Sequence, residues 1–281
     1  MTDKVKNMKL IQRLLTASLA LLLLLGSCAR ASEDGDYLYM INVGKGDAIL
    51  IHCQGRFYLI DCGKGGAWDS VEAALNRHGV DALEAVFLTH TDKDHGGGLK
   101  KLVKSGMPIK NWYASAYYTC EYSDHPMVKA LKKTDTAIQF LKAGDSVDGI
   151  FSVISPIVPD GDNDDNNSLV MLFDNGLCRV LLTGDMEGKE ERRLLMEGQL
   201  PACDVFKVPN HADDDVCLYM DLNALGARHA LISTDPYDKP GTPDPALMMR
   251  LAQAGMEIWR TDLSENGIMV TLDDNLNVTT D

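Results

Sequence analysis

FLTHTDKDHGGGL, residues 87–99, places two histidines and two aspartates within six positions, directly after an apolar run and directly before three glycines. In an extended segment alternate residues share a side, so His90, Asp92 and Asp94 can point together while His95 faces a second position. Imidazole nitrogens and carboxylate oxygens are the ligands that divalent cations take in proteins. The pattern therefore predicts a metal-binding loop.

A surface turn is the alternative interpretation of this loop, with its carboxylates capping a helix that begins near Gly98. Aspartate is common at helix starts because its carboxylate accepts hydrogen bonds from free backbone N–H groups. One carboxylate is enough for a cap, however, and four ligand-type residues at a strand end favour the metal site. The glycines at 96–98 permit a tight exit and close approach of the backbone to a ligand.

Strand-like and helix-like patterns alternate along the rest of the chain. Strands are predicted at 37–43, 48–53, 57–62, 83–90, 109–115, 150–155, 169–173, 178–183, 205–209, 229–234, 256–261 and 267–272. Helices are predicted at 67–79, 97–106, 125–134, 187–198, 219–225 and 246–255. Two strand-rich halves with helices after the strands favour an α/β sandwich of two sheets over a doubly wound parallel sheet. The polar, acidic stretch 156–167 separates the halves.

The N-terminus has the features of an export signal. Basic residues precede an apolar stretch at 14–25, which is shorter than the roughly 20 residues that a membrane-spanning helix needs. LGSC, ending at Cys28, resembles a bacterial lipobox; an uncleaved anchor and simple secretion are the alternatives. We expect a lipoprotein signal peptide at 1–28, a flexible tether at 29–36 and one exported, membrane-anchored domain at 37–281 on the extracytoplasmic side.

Charge and cysteine usage limit the possible functions. A formal net charge of −14 predicts repulsion from long nucleic acids, unless bound cations or a local basic patch reverse the field. No CxxC pair is present, which excludes a thiolate zinc knuckle. Because Cys53, Cys62 and Cys178 lie in or beside apolar strand-like runs, buried free thiols are favoured over a disulfide framework.

Several motifs together resemble the metallo-β-lactamase superfamily, in the form found at the end of ComEC-type competence proteins. HTDKDH, 90–95, resembles the superfamily's HxHxDH signature with the second histidine changed to aspartate. The other matching motifs are INVGKGDAILI (41–51), YLIDCG (58–63), DNNSLVMLF (165–173), LLTGD (181–185) and KVPNH (207–211), in the expected order. The resemblance implies a four-layer αββα sandwich and a hydrolase that uses two divalent metal ions.

The same resemblance implies a ligand set. His90 and Asp92 would hold a first cation, Asp94 and His95 a second, and Asp185 would bridge both. In such sites two cations share a water, lower its pKa and stabilise the oxyanion that forms at a carbonyl or phosphoryl centre. The sequence pattern independently places Asp185 at a strand tip, where capping the next helix is its alternative role.

His211 follows the strand VFKVP and matches the second histidine of the relatives' VxHHGS stretch, with Asn210 at the first. It can be a metal ligand or the acid that protonates a leaving group, and the sequence leaves both roles open. Because the two cations already have five side-chain ligands and catalytic metals need open positions, the proton donor is favoured. Asp94 and His211 are therefore the predicted catalytic residues, and His211 also stays in the predicted ligand set.

The chain departs from the family pattern in three places. The relatives' Gly-Ser after the histidines is replaced by 212–214, Ala-Asp-Asp, and their late Tyr-Gly-His-Pro by PYDKPGTP, 236–243, without a histidine. The usual mid-chain histidine ligand is missing, and Asn166 and Asn167 stand in its place. A site with fewer imidazoles is expected to bind zinc less tightly. The two divalent metals are therefore predicted to be zinc or manganese, with magnesium as a third candidate.

These observations favour an extracytoplasmic, lipid-anchored, metal-dependent hydrolase. The resemblance implies a phosphodiesterase or nuclease that acts on single-stranded nucleic acid, whereas the acidity equally allows a small phosphorylated, lactone or other ester substrate. A non-catalytic binding or scaffold lipoprotein with a degenerate metal site is the alternative, and reduced or lost activity remains open. True β-lactamase activity is disfavoured because Asp92 replaces a histidine. No protein partner can be inferred.

The lipobox predicts that Cys28→Ser releases the protein from the membrane or stops its maturation, because the lipid is attached through that sulfur. Fractionation of cells followed by immunoblotting measures this directly. Unchanged membrane fractionation would instead indicate that residues 14–25 remain as an uncleaved anchor.

Overall fold

The structure is a computed structural model that describes residues 35–281. The strands in this range are β1 (Tyr37–Ile41), β2 (Ile49–Cys53), β3 (Arg56–Ile60), β4 (Leu83–Leu88), β5 (Ile109–Ser115), β6 (Gln139–Leu141), β7 (Ser146–Val147), β8 (Phe151–Ser155), β9 (Val170–Asp174), β10 (Arg179–Leu182), β11 (Val205–Lys207), β12 (His229–Ile232), β13 (Glu257–Arg260), β14 (Gly267–Thr271) and β15 (Val278–Thr280). The α-helices are α1 (Trp68–Arg77), α2 (Lys93–Gly96), α3 (Leu99–Ser105), α4 (Pro126–Leu131), α5 (Gly188–Met196), α6 (Leu222–Leu225) and α7 (Pro245–Gln253).

Two mixed sheets are formed by these strands. The first sheet has the order β15-β14-β1-β2-β3-β4-β5-β6, and the second has the order β13-β12-β11-β10-β9-β8-β7. Strands β3 to β6 run parallel in the first sheet, and β10 to β13 run parallel in the second. Because the carboxyl ends of parallel strands share one edge of a sheet, each sheet gathers its post-strand loops at one edge.

Three apolar layers show how the sheets and helices stack. One cluster lies between the sheets and includes Phe87, Phe151 and Phe173. A second joins the first sheet to the helices through residues such as Leu102, and a third joins the second sheet to its helices through residues such as Leu194. The predicted four-layer αββα sandwich is thereby confirmed.

Strand β4 illustrates why the sequence folds this way. Its side chains alternate, so that Ala85 and Phe87 enter the cluster between the sheets while Val86 and Leu88 enter the cluster under the helices. A strand buried on both faces reads as a continuous apolar run, as residues 85–88, AVFL, do, whereas Glu84 near the start of the strand is only partly buried. Burial of each large apolar side chain contributes about 1.5–3 kcal/mol, which fixes the register of the strand that carries the metal-binding loop.

Short elements are where the sequence prediction was least accurate. The helix predicted at 219–225 is a single turn, α6, which starts at Asp221, where the carboxylate accepts a hydrogen bond from the Asn223 amide, and ends at Gly226 with φ of 69°. Strands β6, β7 and β15 were not predicted; they contain only three, two and three residues. Segments this short carry too few residues to show a period.

The predicted signal peptide and the lipidated Cys28 lie outside the described residues, as does most of the predicted tether. Asp36, the last residue of that tether, already belongs to the fold, because its carboxylate accepts hydrogen bonds from the Gln54 amide at 2.8 Å and from Asn175 Nδ2 at 3.0 Å. Within residues 35–281 no helix is long and apolar enough to cross a membrane.

The cysteines in the described range are all free thiols. The buried ones are Cys53, Cys62, Cys178, Cys203 and Cys217, and Cys120 is partly exposed. The prediction of buried free thiols rather than a disulfide framework is confirmed for this part of the chain.

Two glycines let the metal-binding loop pack directly on neighbouring backbone. A Cβ added at Gly98 would lie 2.3 Å from the Cys62 carbonyl oxygen, and one added at Gly46, where φ is 146°, would lie 2.5 Å from the Asp94 carbonyl oxygen. Real Cβ atoms do not approach this closely, so both positions require glycine. The loop is therefore held against the turns on either side of β2 and β3.

Candidate metal centre

The side chains predicted to bind metal meet where loops from both sheets converge. His90 lies two residues beyond β4, Asp185 three residues beyond β10 and His211 four residues beyond β11. The Asp185 carboxylate Oδ2 is 3.2 Å from His95 Nε2 and 3.0 Å from His211 Nε2. A carboxylate of the second sheet thus lies between an imidazole from each sheet.

Four groups of side chains have ligand atoms that all lie within 4.8 Å of one another in the described residues. The groups are His90, His95 and Asp185; Asp94, His95 and His211; Asp47, Asp61 and His95; and His90, Asp92 and Asp165. Every residue of the predicted ligand set belongs to at least one group. The other histidines of the described range, His52, His78, His125 and His229, belong to none of the four.

Helix capping does not account for the carboxylates. Asp92 occupies the N-cap position of α2, but its side chain accepts no capping hydrogen bond. The N-cap residue of α5 is Glu187, so Asp185 is not the cap of that helix. Asp94 instead pairs with Lys45 of the β1–β2 turn, with Nζ and Oδ2 separated by 3.0 Å.

Asp61 orients the imidazoles of the metal-binding loop through their Nδ1 side. Its buried carboxylate accepts hydrogen bonds from the Thr89 amide at 2.8 Å, from Thr89 Oγ1 at 2.7 Å and from His95 Nδ1 at 2.7 Å. Because Thr89 Oγ1 gives its proton to Asp61, it accepts from His90 Nδ1, which lies 3.2 Å away. In its neutral form each imidazole therefore carries its proton on Nδ1 and presents a lone pair at Nε2.

His211 is oriented in the same way by the end of β12. Its Nδ1 lies 2.9 Å from the carbonyl oxygen of Ser233, which can only accept a hydrogen bond. The Ser233 hydroxyl in turn donates to Asp47. Nε2 of His211 is therefore also left with a lone pair.

None of the three buried Nε2 atoms makes a hydrogen bond, and neither does Asp185 Oδ1. The Nε2 atoms of His95 and His211 face Asp185 Oδ2 at 3.2 and 3.0 Å, so a proton or a metal ion has to lie between each nitrogen and that oxygen. Buried polar atoms without a partner are rare in folded proteins. Histidine ligands of metals usually donate from one ring nitrogen to a protein acceptor and coordinate through the other. The arrangement of His90, His95 and His211 fits that description, so the donor set fits a divalent metal.

Opposite charges stabilise each other in this cluster. Burial alone would lower the pKa of His95, but the carboxylates of Asp185 and Asp61 outweigh it and raise that pKa well above its usual value. Burial alone would raise the pKa of Asp185, but His211 and His95 hold it well below its usual value. Without metal, a protonated His95 supplies positive charge that the buried carboxylate needs.

Lys207 is a functional neighbour that the sequence analysis missed. Its Nζ is fully buried, lies 2.5 Å from Asp47 Oδ2 and 3.6 Å from Asp185 Oδ1, and donates to the Gly184 carbonyl oxygen at 2.9 Å. Burial acts to lower the pKa of Lys207, but Asp47 and Asp185 raise it above its usual value. The sequence signal for Lys207 was a charged residue within the apolar strand VFKVP. Lysine is almost never fully buried without a partner, so its position indicated a buried carboxylate nearby.

Asp165 is the second missed residue. The Asn166 side-chain oxygen accepts from the Glu190 amide at 3.2 Å, and that of Asn167 accepts from the Asp160 amide at 2.8 Å, so both asparagines have structural roles. Asp165 Oδ1 instead lies 3.5 Å from His90 Nε2. Burial, opposed by His90 and assisted by neighbouring carboxylates, raises the pKa of Asp165 to about 7.

The backbone around His211 is held in an uncommon conformation. Asn210, His211 and Ala212 have φ values of 42°, 55° and 62°. This left-handed region costs non-glycine residues about 1–3 kcal/mol each and is typical of functional sites. Ala212 stands where the motif of the relatives has glycine. The next residue, Asp213, pairs with Lys239, so two of the segments that depart from the family pattern contact each other.

Comparison with known proteins gives the following matches. The model of the metallo-beta-lactamase superfamily matches residues 41–234. ComE operon protein 3 of Bacillus subtilis is 28% identical over 258 residues, which cover 84% of this chain and 33% of that protein. Competence protein ComA of Neisseria gonorrhoeae is 26% identical over 226 residues, which cover 79% of this chain and 30% of that protein. The chain thus spans about a third of the length of these relatives.

Among solved structures, the metallo-beta-lactamase fold protein YhfI of Bacillus subtilis has a TM-score of 0.57 and 15% sequence identity to this chain. The similarity covers 83% of this chain and 98% of that one. At this level of identity, the match concerns the fold.

The hydrogen bonds of Asp61 predict that Asp61→Asn weakens metal binding by about 10- to 100-fold, the range for partners that orient a metal ligand. Both carboxylate oxygens of Asp61 accept hydrogen bonds, so the amide must turn its NH2 group toward one of these donors. Facing His95, that group favours the tautomer with the proton on Nε2; facing Thr89, it meets the backbone N–H. Titration of chelator-stripped protein with zinc measures the effect. Asp69→Asn, an exposed acid on α1, is the matched control. Equal affinities for the two variants would contradict this role of Asp61.

Proposed function

The chain belongs to the metallo-β-lactamase superfamily, and on that premise we propose that it is a hydrolase of phosphodiesters or similar esters that uses two divalent metal ions. The similarity to ComEC-type competence proteins, first read from the motifs, is confirmed by the relatives. One observation carries the proposal. The buried, unpartnered Nε2 atoms of three histidines face the carboxylate of Asp185.

The residues fall into two sets around Asp185. His90 and Asp92 form the first set, and Asp94, His95 and His211 form the second. Bound divalent metals would lower the pKa of a water and stabilise negative charge on the substrate. The protein's own part is to fix the imidazoles through Asp61 and Ser233, to keep Asp185 ionised, and to hold the ligands rigidly before substrate binds.

For His211, the geometry supports metal ligation over proton donation, which reverses the preference that counting ligands gave. Its Nε2 lies 3.0 Å from Asp185 Oδ2 and 3.7 Å from Asp94 Oδ2, among the other candidate ligands. Its side chain is fully buried, whereas a proton donor must reach the leaving group of a bound substrate. Since Nδ1 donates to Ser233, the lone pair on Nε2 is available to a metal.

A lysine-lined cleft beside the metal-binding loop supports an anionic substrate. The cleft has a volume of about 340 Å³, and its walls include Thr91, Lys93, Lys100 and Lys129. Lys129 pairs with Asp124 at 2.8 Å, but among the described residues Lys93 and Lys100 have no ion-pair partner. This is a local basic patch of the kind that an acidic chain needs in order to bind phosphate.

The location is part of the same proposal. An exported domain tethered by a lipid at Cys28 would meet phosphorylated compounds or single-stranded nucleic acid outside the cytoplasm. The competing function is a scaffold lipoprotein with a degenerate site. The three oriented imidazoles that remain support the enzyme, because a degenerate site has no need to keep buried Nε2 atoms without hydrogen bonds.

We expect the purified protein to hydrolyse bis-p-nitrophenyl phosphate when supplied with zinc or manganese, to stop in EDTA and to recover on addition of metal. Asp94→Ala should reduce turnover to background, because it removes a ligand whose side chain is only partly buried and opens no core cavity. Asp185→Ala should also abolish turnover. Asp185→Ala is the less specific test, because the buried Lys207 ammonium would lose a nearby negative charge and the fold would be destabilised as well.

The matched control for Asp94→Ala is Asp162→Ala, an exposed acid in the 156–167 loop. Wild-type turnover by Asp94→Ala at saturating metal would rule out its assignment as a ligand. A wild-type protein that binds metal but hydrolyses neither phosphodiesters nor other esters would favour the scaffold.

The lysine-lined cleft predicts that Lys93→Ala and Lys100→Ala each raise KM for a short single-stranded oligonucleotide by about tenfold. This corresponds to about 1.4 kcal/mol for one charge-assisted contact to phosphate. Metal content should not change. The control is Lys101→Ala, because Lys101 is an exposed lysine of α3, next to Lys100, that does not line the cleft. Equal KM values for all three variants would show that substrate does not use the cleft.

A further inference from the structure

We infer that Asp165 completes the first metal position and that the two positions differ in chemistry, so that the protein holds an oxygen-preferring ion such as manganese beside His90 and a zinc ion beside His95. The inference rests on the proposed two-metal function and goes beyond it. It names a ligand that neither the motif nor the count of histidines indicates.

The contacts of His90 point to Asp165. The His90 side chain is fully buried, and its Nε2 has no hydrogen-bond partner. That atom lies 3.5 Å from Asp165 Oδ1, and one ligand atom each of His90, Asp92 and Asp165 lie within 4.8 Å of one another. A buried lone pair that faces two carboxylates is unfavourable unless a proton or a metal ion lies between them, and a metal ion can contact all three groups at once.

The loop 156–167 holds Asp165 in place by anchoring its neighbours. The Asp164 carboxylate accepts from the backbone amides of Thr91 and Thr119, at 2.8 Å in each case. Asn167, which is fully buried, donates to the Asp160 carbonyl oxygen at 2.8 Å. Because Thr91 directly follows His90, the bond to Asp164 fixes Asp165 relative to the imidazole that it faces.

Neither asparagine beside Asp165 is available as a ligand. The side-chain oxygens of Asn166 and Asn167 accept backbone hydrogen bonds from Glu190 and Asp160. In the Asp165–Asn167 turn, the carboxylate of Asp165 is therefore the group that can fill the place of the missing mid-chain histidine.

The donor sets then differ between the two positions. The first has one imidazole, His90, together with the carboxylates of Asp92 and Asp165, and the second has two imidazoles, His95 and His211, with Asp94. Asp185 is close to both sets. Carboxylate-rich sites suit manganese and magnesium, whereas imidazole suits zinc. Because zinc binds any given site more tightly than manganese, a mixed pair of metals is the expected occupancy when zinc is limited to one equivalent per chain and manganese is in excess.

The test is the metal content of the full-length protein, stripped with chelator, equilibrated with one equivalent of zinc per chain and an excess of manganese, desalted and analysed by mass spectrometry. Zinc is kept limiting because it binds a given site more tightly than manganese does. Wild-type protein should retain one manganese and one zinc per chain. Asp165→Asn, which keeps the size of the side chain, should bind manganese at least about tenfold more weakly and keep its zinc. Asp165→His should take up a second zinc in place of the manganese at a lower zinc concentration than the wild type requires.

Asp162→Asn, an exposed acid of the same loop, is the matched control and should match the wild type. Circular dichroism checks that each variant is folded, and the manganese electron paramagnetic resonance signal reports the first position directly. Retention of both metals by Asp165→Asn at wild-type affinity would overturn the inference, as would two ions of the same element in the wild type. No retained metal would overturn it together with the proposed function. Metal retained as expected without hydrolysis would overturn the proposed function alone.

Discussion

Everything at this site depends on the buried carboxylate of Asp185 being surrounded by positive charge. A buried carboxylate without a partner is strongly destabilising, yet Asp185 comes from the second sheet into a cluster that already contains Asp94 of the first. His95, His211 and Lys207 supply the compensating charge. The loops of the two sheets therefore meet through opposite charges rather than through apolar packing, which is why this edge of the sandwich can hold a chemical site.

The residues that surround the candidate metal ligands have different roles. Asp61 and Ser233 orient imidazoles without facing the cluster centre themselves. Lys207 is part of the chain and keeps its positive charge when no metal is bound. It therefore stabilises the ionised carboxylates of Asp47 and Asp185 in the metal-free protein. Metal binding then has to displace the Nε2 proton of His95, and the same contacts that stabilise the empty site prepare it for a divalent ion.

Much of this could be predicted from the sequence, because the metal-binding loop and the strand tips are local. The run LEAVFL fixed β4, and the spacing of His90, Asp92, Asp94 and His95 indicated ligands before any contact was known. Asp165 and Lys207 were missed because their roles depend on which segments meet. Asp165 matters only once Asp164 is bonded to Thr91, a residue 73 positions away in the chain. For His211, counting ligands favoured a proton donor, whereas its burial supports the metal ligation proposed above, and burial is not visible in a motif.

The central claim is a two-metal centre around Asp185, and anomalous diffraction from crystals grown with manganese and zinc tests it most directly. Data collected on each side of the two absorption edges should show two peaks, each within coordination distance of Asp185. One peak should be flanked by His90 and Asp92 and the other by His95 and His211. A single peak, or peaks that do not contact these side chains, would contradict the account.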